Sequence, residues 1–165
     1  MPSHGNNKQP NDPHMQAGKQ PMDNKQIVQR YMEDCWNQGK LNVVGELMAE
    51  NVRIHDPVFP NLTSGAKNKR DQIEQCRRAF PYLKFTIDDT VGERNEVVIH
   101  WSARGTHKGD FLGMHATNRK ATITGSSIYR LEGQKIVEEW AHWNLMSMIE
   151  QLGVATAPHE TKTHA

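Results

Sequence analysis

Several features that would place this chain early are missing from it. It holds two cysteines, Cys35 and Cys76, in 165 residues. Both fall on expected helix faces beside apolar neighbours, which argues against a disulfide scaffold and for buried thiols in a reducing compartment. No apolar run approaches the ~20 residues that a membrane span needs. The first residues also lack the apolar core of a secretory signal, so the cytoplasm is the expected location. The sequon Asn61-Leu62-Thr63 then has no secretory context to give it meaning. The formal net charge is +1, with both signs interspersed. That leaves no electrostatic footprint for nucleic acid or for a membrane surface. HExxH, CxxC and paired-carboxylate spacings are absent, so neither a metal nor another cofactor is expected. Gly105 and Gly109 do not make a phosphate cradle, because no helix carrying Lys-Ser or Lys-Thr follows them.

What is present divides into three parts. Residues 1–23 are Asn, Gln, Lys, His, Pro and Gly with almost nothing apolar. Such a segment cannot offset its ordering entropy and is expected to be a disordered tail. Residues 154–165 form a short matching tail, which leaves one domain over 24–153. In that domain Ile27, Val28, Tyr31, Met32, Cys35 and Trp36 make a broad helical stripe over 23–37, capped by Asp23 or Asn24 and stopped by Gly39. A second helix is expected over 43–50 with Asn42 as its cap, then a brief strand over 51–55. Ser64 is read as the cap of a third helix, packed inward through Ile73, Cys76 and Phe80. Its Lys67, Lys69, Arg70, Arg77 and Arg78 are read as a solvated face. Pro81 ends that helix.

From Leu83 onward the periodicity changes to two. Leu83, Phe85 and Ile87 alternate, as do Val97, Ile99, Trp101 and Ala103, then Ala121, Ile123, Gly125, Ser127, Tyr129 and Leu131. A last strand over 135–143 and a closing helix over 145–152 complete the domain. Helices first and a meander last give an α+β fold: a curved, cone-shaped antiparallel sheet against three N-terminal helices, enclosing a cavity.

Trp36-Asn37-Gln38-Gly39, His55-Asp56-Pro57, Ala79-Phe80-Pro81 and the loop from Gly105 through His107, Phe111 and Gly113 recur as a set in one family. So do Gly125 to Arg130, Lys135 to Trp140 and Gln151-Leu152-Gly153. With these motifs, residues 24–153 resemble the SnoaL-like polyketide cyclases of the nuclear-transport-factor-2-like superfamily. The resemblance implies intramolecular aldol closure of a hydrophobic, polyketide-like carbonyl substrate without metal or cofactor. It also implies a homodimer through the convex sheet face carrying Val98, His100 and Ser102. Two departures stand out. Where relatives often carry an acid, this chain has Ser127 in the strand motif and Asn144 after the last tryptophan.

An aldol closure needs a base for a carbon-bound proton and a donor for the developing alkoxide. The candidates for proton transfer are the pair His55 and Asp56 at a strand end, the pair His107 and Asp110 in the glycine-rich loop, and His142. Alternation counted along the last strand puts Glu138, Trp140, His142 and Asn144 on the concave side with Ser127. Trp101, Ser127, Trp140 and Asn144 are therefore the expected substrate contacts. The alternative reading is a non-catalytic protein of the same fold, either a ligand-binding one, which the missing acids favour, or an assembly module.

Overall fold

The computed structural model describes residues 20–154. The expected tails lie outside the described residues apart from 20–23 and 154. Helix α1, Asn24–Arg30, starts on a capping box in which Asp23 accepts from the Gln26 N–H while the Gln26 side chain accepts from the Asp23 N–H. It continues as a π-helical segment, Tyr31–Asn37, closed by a Gln38 N–H donating to the Glu33 carbonyl. Gly39 ends it at φ +68°.

Helix α2, Leu41–Leu47, begins two residues earlier than expected and carries no side-chain cap. The three residues after it open strand β1, Met48–His55, rather than extending the helix. Helix α3 is Ala66–Ala79, and its N-cap is Gly65 at φ +100°, not Ser64. Strands β2, Lys84–Glu93, β3, Glu96–Thr106, β4, Lys120–Glu132, and β5, Lys135–Trp143, follow, and α4, Leu145–Leu152, closes the chain.

The strands form one five-stranded sheet in the order β1-β5-β4-β3-β2. Strand β1 runs parallel to β5, which makes the sheet mixed, while the other pairings are antiparallel. The inner face carries Val97, Ile99, Trp101, Tyr129 and Leu131, all buried under the helices. Val98 and His100 alternate with them on the exposed outer face. This is the α+β architecture that the order of patterns implied.

One irregularity decides which side chains reach the interior. The β4–β5 pairing runs Leu131 with Ile136, then Arg130 with Glu138, so Val137 is an inserted residue. Ile136 faces inward beside Leu131. Beyond the bulge the alternation restarts one residue late. Glu139 and Ala141 then pair with the inward Tyr129 and Ser127, while Glu138, Trp140 and His142 pair with Arg130, Ile128 and Ser126 on the outer face. The concave placement of Glu138, Trp140 and His142 is thereby corrected, because alternation counted from the hairpin passes through a bulge that adds one residue.

Candidate functional site

Between the inner face of the sheet and the helices lies a cavity of about 100 Å³, measured as the space open to the centres of water-sized spheres. Trp36, Phe85 and Trp101 form an aromatic wall, with Phe85 packed against both indoles at 5.1 and 5.0 Å between ring centres. Trp101 can lie flat in this space because the residue facing it is Gly125. A β-carbon there would stand 2.4 Å from the indole and 2.8 Å from the His142 carbonyl. The indole N–H of Trp101 donates to Ser127 Oγ at 3.0 Å, which fixes both side chains. Trp101 and Ser127 are the two expected substrate contacts that the structure brings together on the cavity wall.

Few polar groups enter this apolar space. Asp56 is buried, its Oδ1 accepting from the Val58 N–H at 2.9 Å and its Oδ2 lying 3.5 Å from Gln72 Nε2. Lys69 and Glu139 form an ion pair, Nζ to Oε2 2.8 Å, with side chains 2% and 3% exposed. The approach is short but off the hydrogen-bonding direction, and Glu139 Oε2 and Gln72 Oε1 have no well-aligned partner. The Lys69 ammonium also stands 5.5 Å from the centre of the Trp36 ring. Burial, and after it the charge of Glu139, pushes the phenols of Tyr31 and Tyr129 well above their usual range, so both are neutral donors at ordinary pH. Cys76, also on the wall, is pushed up to about 12, chiefly by burial, and stays a thiol.

Lys69 and Glu139 were not singled out in the sequence. Residue type groups Lys69 with the basic face of α3, yet it shares the stripe Ala66, Lys69, Ile73, Cys76 that α3 buries. A lysine on an apolar stripe is the signal that points to it. Glu139 could be found only by knowing of the bulge.

The remaining candidates are placed elsewhere. His55, the last residue of β1, faces the outer side of the sheet, whereas Asp56 just beyond it lines the cavity. His55 stacks on Trp140, 5.1 Å between ring centres, and its Nε2 lies 2.9 Å from Glu138 Oε1 on the outer face. His107 and Asp110 do not meet either. His107 is fully buried, stacked on Phe80 at 5.2 Å, and its Nδ1 accepts from the Thr117 N–H at 3.3 Å. Asp110 lies at the surface beside His115. The loop carrying them clamps the end of α3: the Lys108 and Gly109 N–H groups both donate to the Ala79 carbonyl. His142 is exposed. Asn144 caps α4, its Oδ1 accepting from the Ser147 N–H at 2.9 Å.

On the outer face Arg53, His55 and Arg130 converge on Glu138, and Arg130 also lies over the Trp140 ring at 5.2 Å. Burial works against ionisation of Glu138. The hydrogen bond to His55 and the two guanidinium groups outweigh it and hold the carboxyl below its usual range.

The family profile described as SnoaL-like polyketide cyclase matches residues 26–152. The chain belongs to the SnoaL-like polyketide cyclase family. The solved structures agree with that placement. TsrD from Streptomyces laurentii shares 21% identity and a TM-score of 0.72, over 79% of this chain and 95% of that one. A protein provisionally assigned as a polyketide cyclase from Acidithiobacillus ferrooxidans shares 23% and 0.72, over 80% and 95%. IdmH from Streptomyces antibioticus, also provisionally assigned as a polyketide cyclase, shares 26% and 0.68, over 78% and 97%. The first two show the likeness of fold alone. A search of the curated proteins found no match. Among the described residues, no helix is long and apolar enough to cross a membrane.

Proposed function

We propose that this SnoaL-like chain is a cyclase- or isomerase-type enzyme that acts on a hydrophobic, polyketide-like carbonyl compound without a cofactor. The observation that supports this reading is the pairing of buried carboxylates, Asp56 and Glu139, with a buried ammonium, Lys69, in a largely apolar cavity. A carboxylate held beside the substrate can take a carbon-bound proton, and the aromatic wall suits a flat conjugated ligand. In the proposed reaction a carboxylate takes a proton from the carbon beside a carbonyl. The carbanion closes on a second carbonyl, and a neutral donor returns a proton to the new alkoxide. Trp101 and Ser127 shape the wall against which the substrate lies. His55, His107, Asp110 and His142 stand off the cavity and are left out of this machinery, as are Trp140 and Asn144. A homodimer through the outer sheet face around Val98 and His100, working in the cytoplasm, completes the proposal.

The test is a panel of aryl polyketide esters incubated with the protein and followed by chromatography and mass spectrometry. Ring closure that falls ~10²–10⁴-fold when a cavity carboxylate is made an amide supports the enzyme. The second reading, a ligand-binding protein, is favoured by Ser127 and Asn144 standing where relatives often hold acids. It is the outcome if esters bind but are recovered unchanged.

A further inference from the structure

Two carboxylates share the cavity, and their surroundings differ. Asp56 Oδ1 is committed to the Val58 N–H in the turn before α3, and Oδ2 has the Gln72 amide near it. It behaves as a turn-holding carboxylate. Glu139 Oε2, fully enclosed, has no well-aligned donor, although the Lys69 ammonium stands 2.8 Å away. Lys69 in turn has no other carboxylate in an ion pair with it among the described residues.

Resting on the function proposed above, we infer that Glu139 and Lys69 are its proton-transfer couple, with Glu139 as the base and Lys69 as the group that receives the charge formed on the substrate oxygen. The step conserves charge inside the cavity. The proton on the carbon next to the substrate carbonyl moves to the Glu139 carboxylate. The C–H electron pair becomes the new C=C bond, and the carbonyl π pair moves onto oxygen. As Glu139 becomes neutral, the Lys69 ammonium exchanges it for the new oxyanion. The buried ammonium therefore has an anionic partner before and after the transfer, which avoids the large cost of an isolated buried charge. An acid placed at 127 or 144 is not required for this chemistry, so the two departures from the family pattern leave it intact. Tyr129, paired across the ladder with Glu139, is the neighbouring neutral donor for the return proton.

The probe is 4-nitrophenol, whose neutral and ionised forms absorb at different wavelengths and whose O–H stands in for the acidic C–H. It is titrated into the full-length protein about one unit below its own pKa. The expected result is that bound probe shows an ionised-to-neutral ratio at least ~10-fold above that of free probe. The charge-neutral double variant K69M/E139Q should bind the probe in its neutral form, while E138Q, altered on the outer face, should keep the ionised band. An infrared difference spectrum of the wild type offers a readout that needs no variant: a protonated-carboxyl band should appear on binding. Probe bound only in the neutral form by the wild type overturns the inference, and the same holds if the ionised band survives in K69M/E139Q or is lost in D56N instead. In each of those cases the cavity still binds a flat aromatic ligand and the proposed function stands. If the wild type binds no probe at all, that proposed function falls, and the inference falls with it.

Discussion

Gly109 lies against the end of α3 so closely that a β-carbon would meet the Arg78 carbonyl oxygen at 2.8 Å. Backbone on both sides cannot move away as a side chain would. G109A should therefore lower stability by about 1–3 kcal/mol in urea unfolding, with the α3–loop clamp loosened. Glu138 is a second single-residue case. Its folded-state pKa is depressed, so below the ordinary carboxylate range the unfolded chain binds the extra proton and the folded chain does not. The stabilisation is present above the usual value of 4.5 and is lost as pH falls through the folded pKa. Unfolding measured from pH 6 downward should show a shallower acid loss in E138Q than in the wild type. Identical slopes would mean that the guanidinium groups of Arg53 and Arg130 do not act on this carboxyl in solution.

Among the elements, α3 and β5 carry the cavity's ion pair. Removing one partner of their ion pair strands the other, so K69M alone should cost about 3–5 kcal/mol, whereas K69M/E139Q should cost clearly less. Denaturation of the single and double variants checks this, and equal losses would show that the two charges are not coupled. The same two elements show what was legible in the sequence. The inward set on β3 and β4, Trp101, Ser127 and Tyr129 among it, followed from alternation because no bulge breaks that ladder between them. The helical stripe of α3 was legible too, except that a lysine on it was assigned to solvent by residue type. On β5 the inserted Val137 carries no sequence mark, so plain alternation puts Glu138, Trp140 and His142 inside and Glu139 outside, the reverse of the observed faces. The histidine–aspartate pairs failed for a different reason. His55 ends β1 in register with the outward Trp140, while Asp56 begins the turn and bonds the Val58 N–H, so the two do not reach one cavity together. Asn144 was read as a contact and is an N-cap, a role its residue type favours in any chain.

For the molecule as a whole, the cavity couples ligand to stability. A flat aromatic compound that binds the folded chain alone should raise the midpoint of thermal unfolding with its concentration, by about 2.7 kcal/mol of added stability at a hundredfold excess over Kd. Differential scanning with 4-nitrophenol measures this, and a midpoint independent of concentration would speak against a ligand in the cavity. The bulge at Val137 has its own consequence at this scale. In a saturation scan of every position, tolerance along a regular strand beats in two-residue time, sensitive then permissive. Along β5 that rhythm should miss a beat at 137 and resume in the opposite phase. Deleting Val137 should restore the beat without exchanging the two faces, since Ile136, Glu138 and Glu139 would then alternate in, out and in.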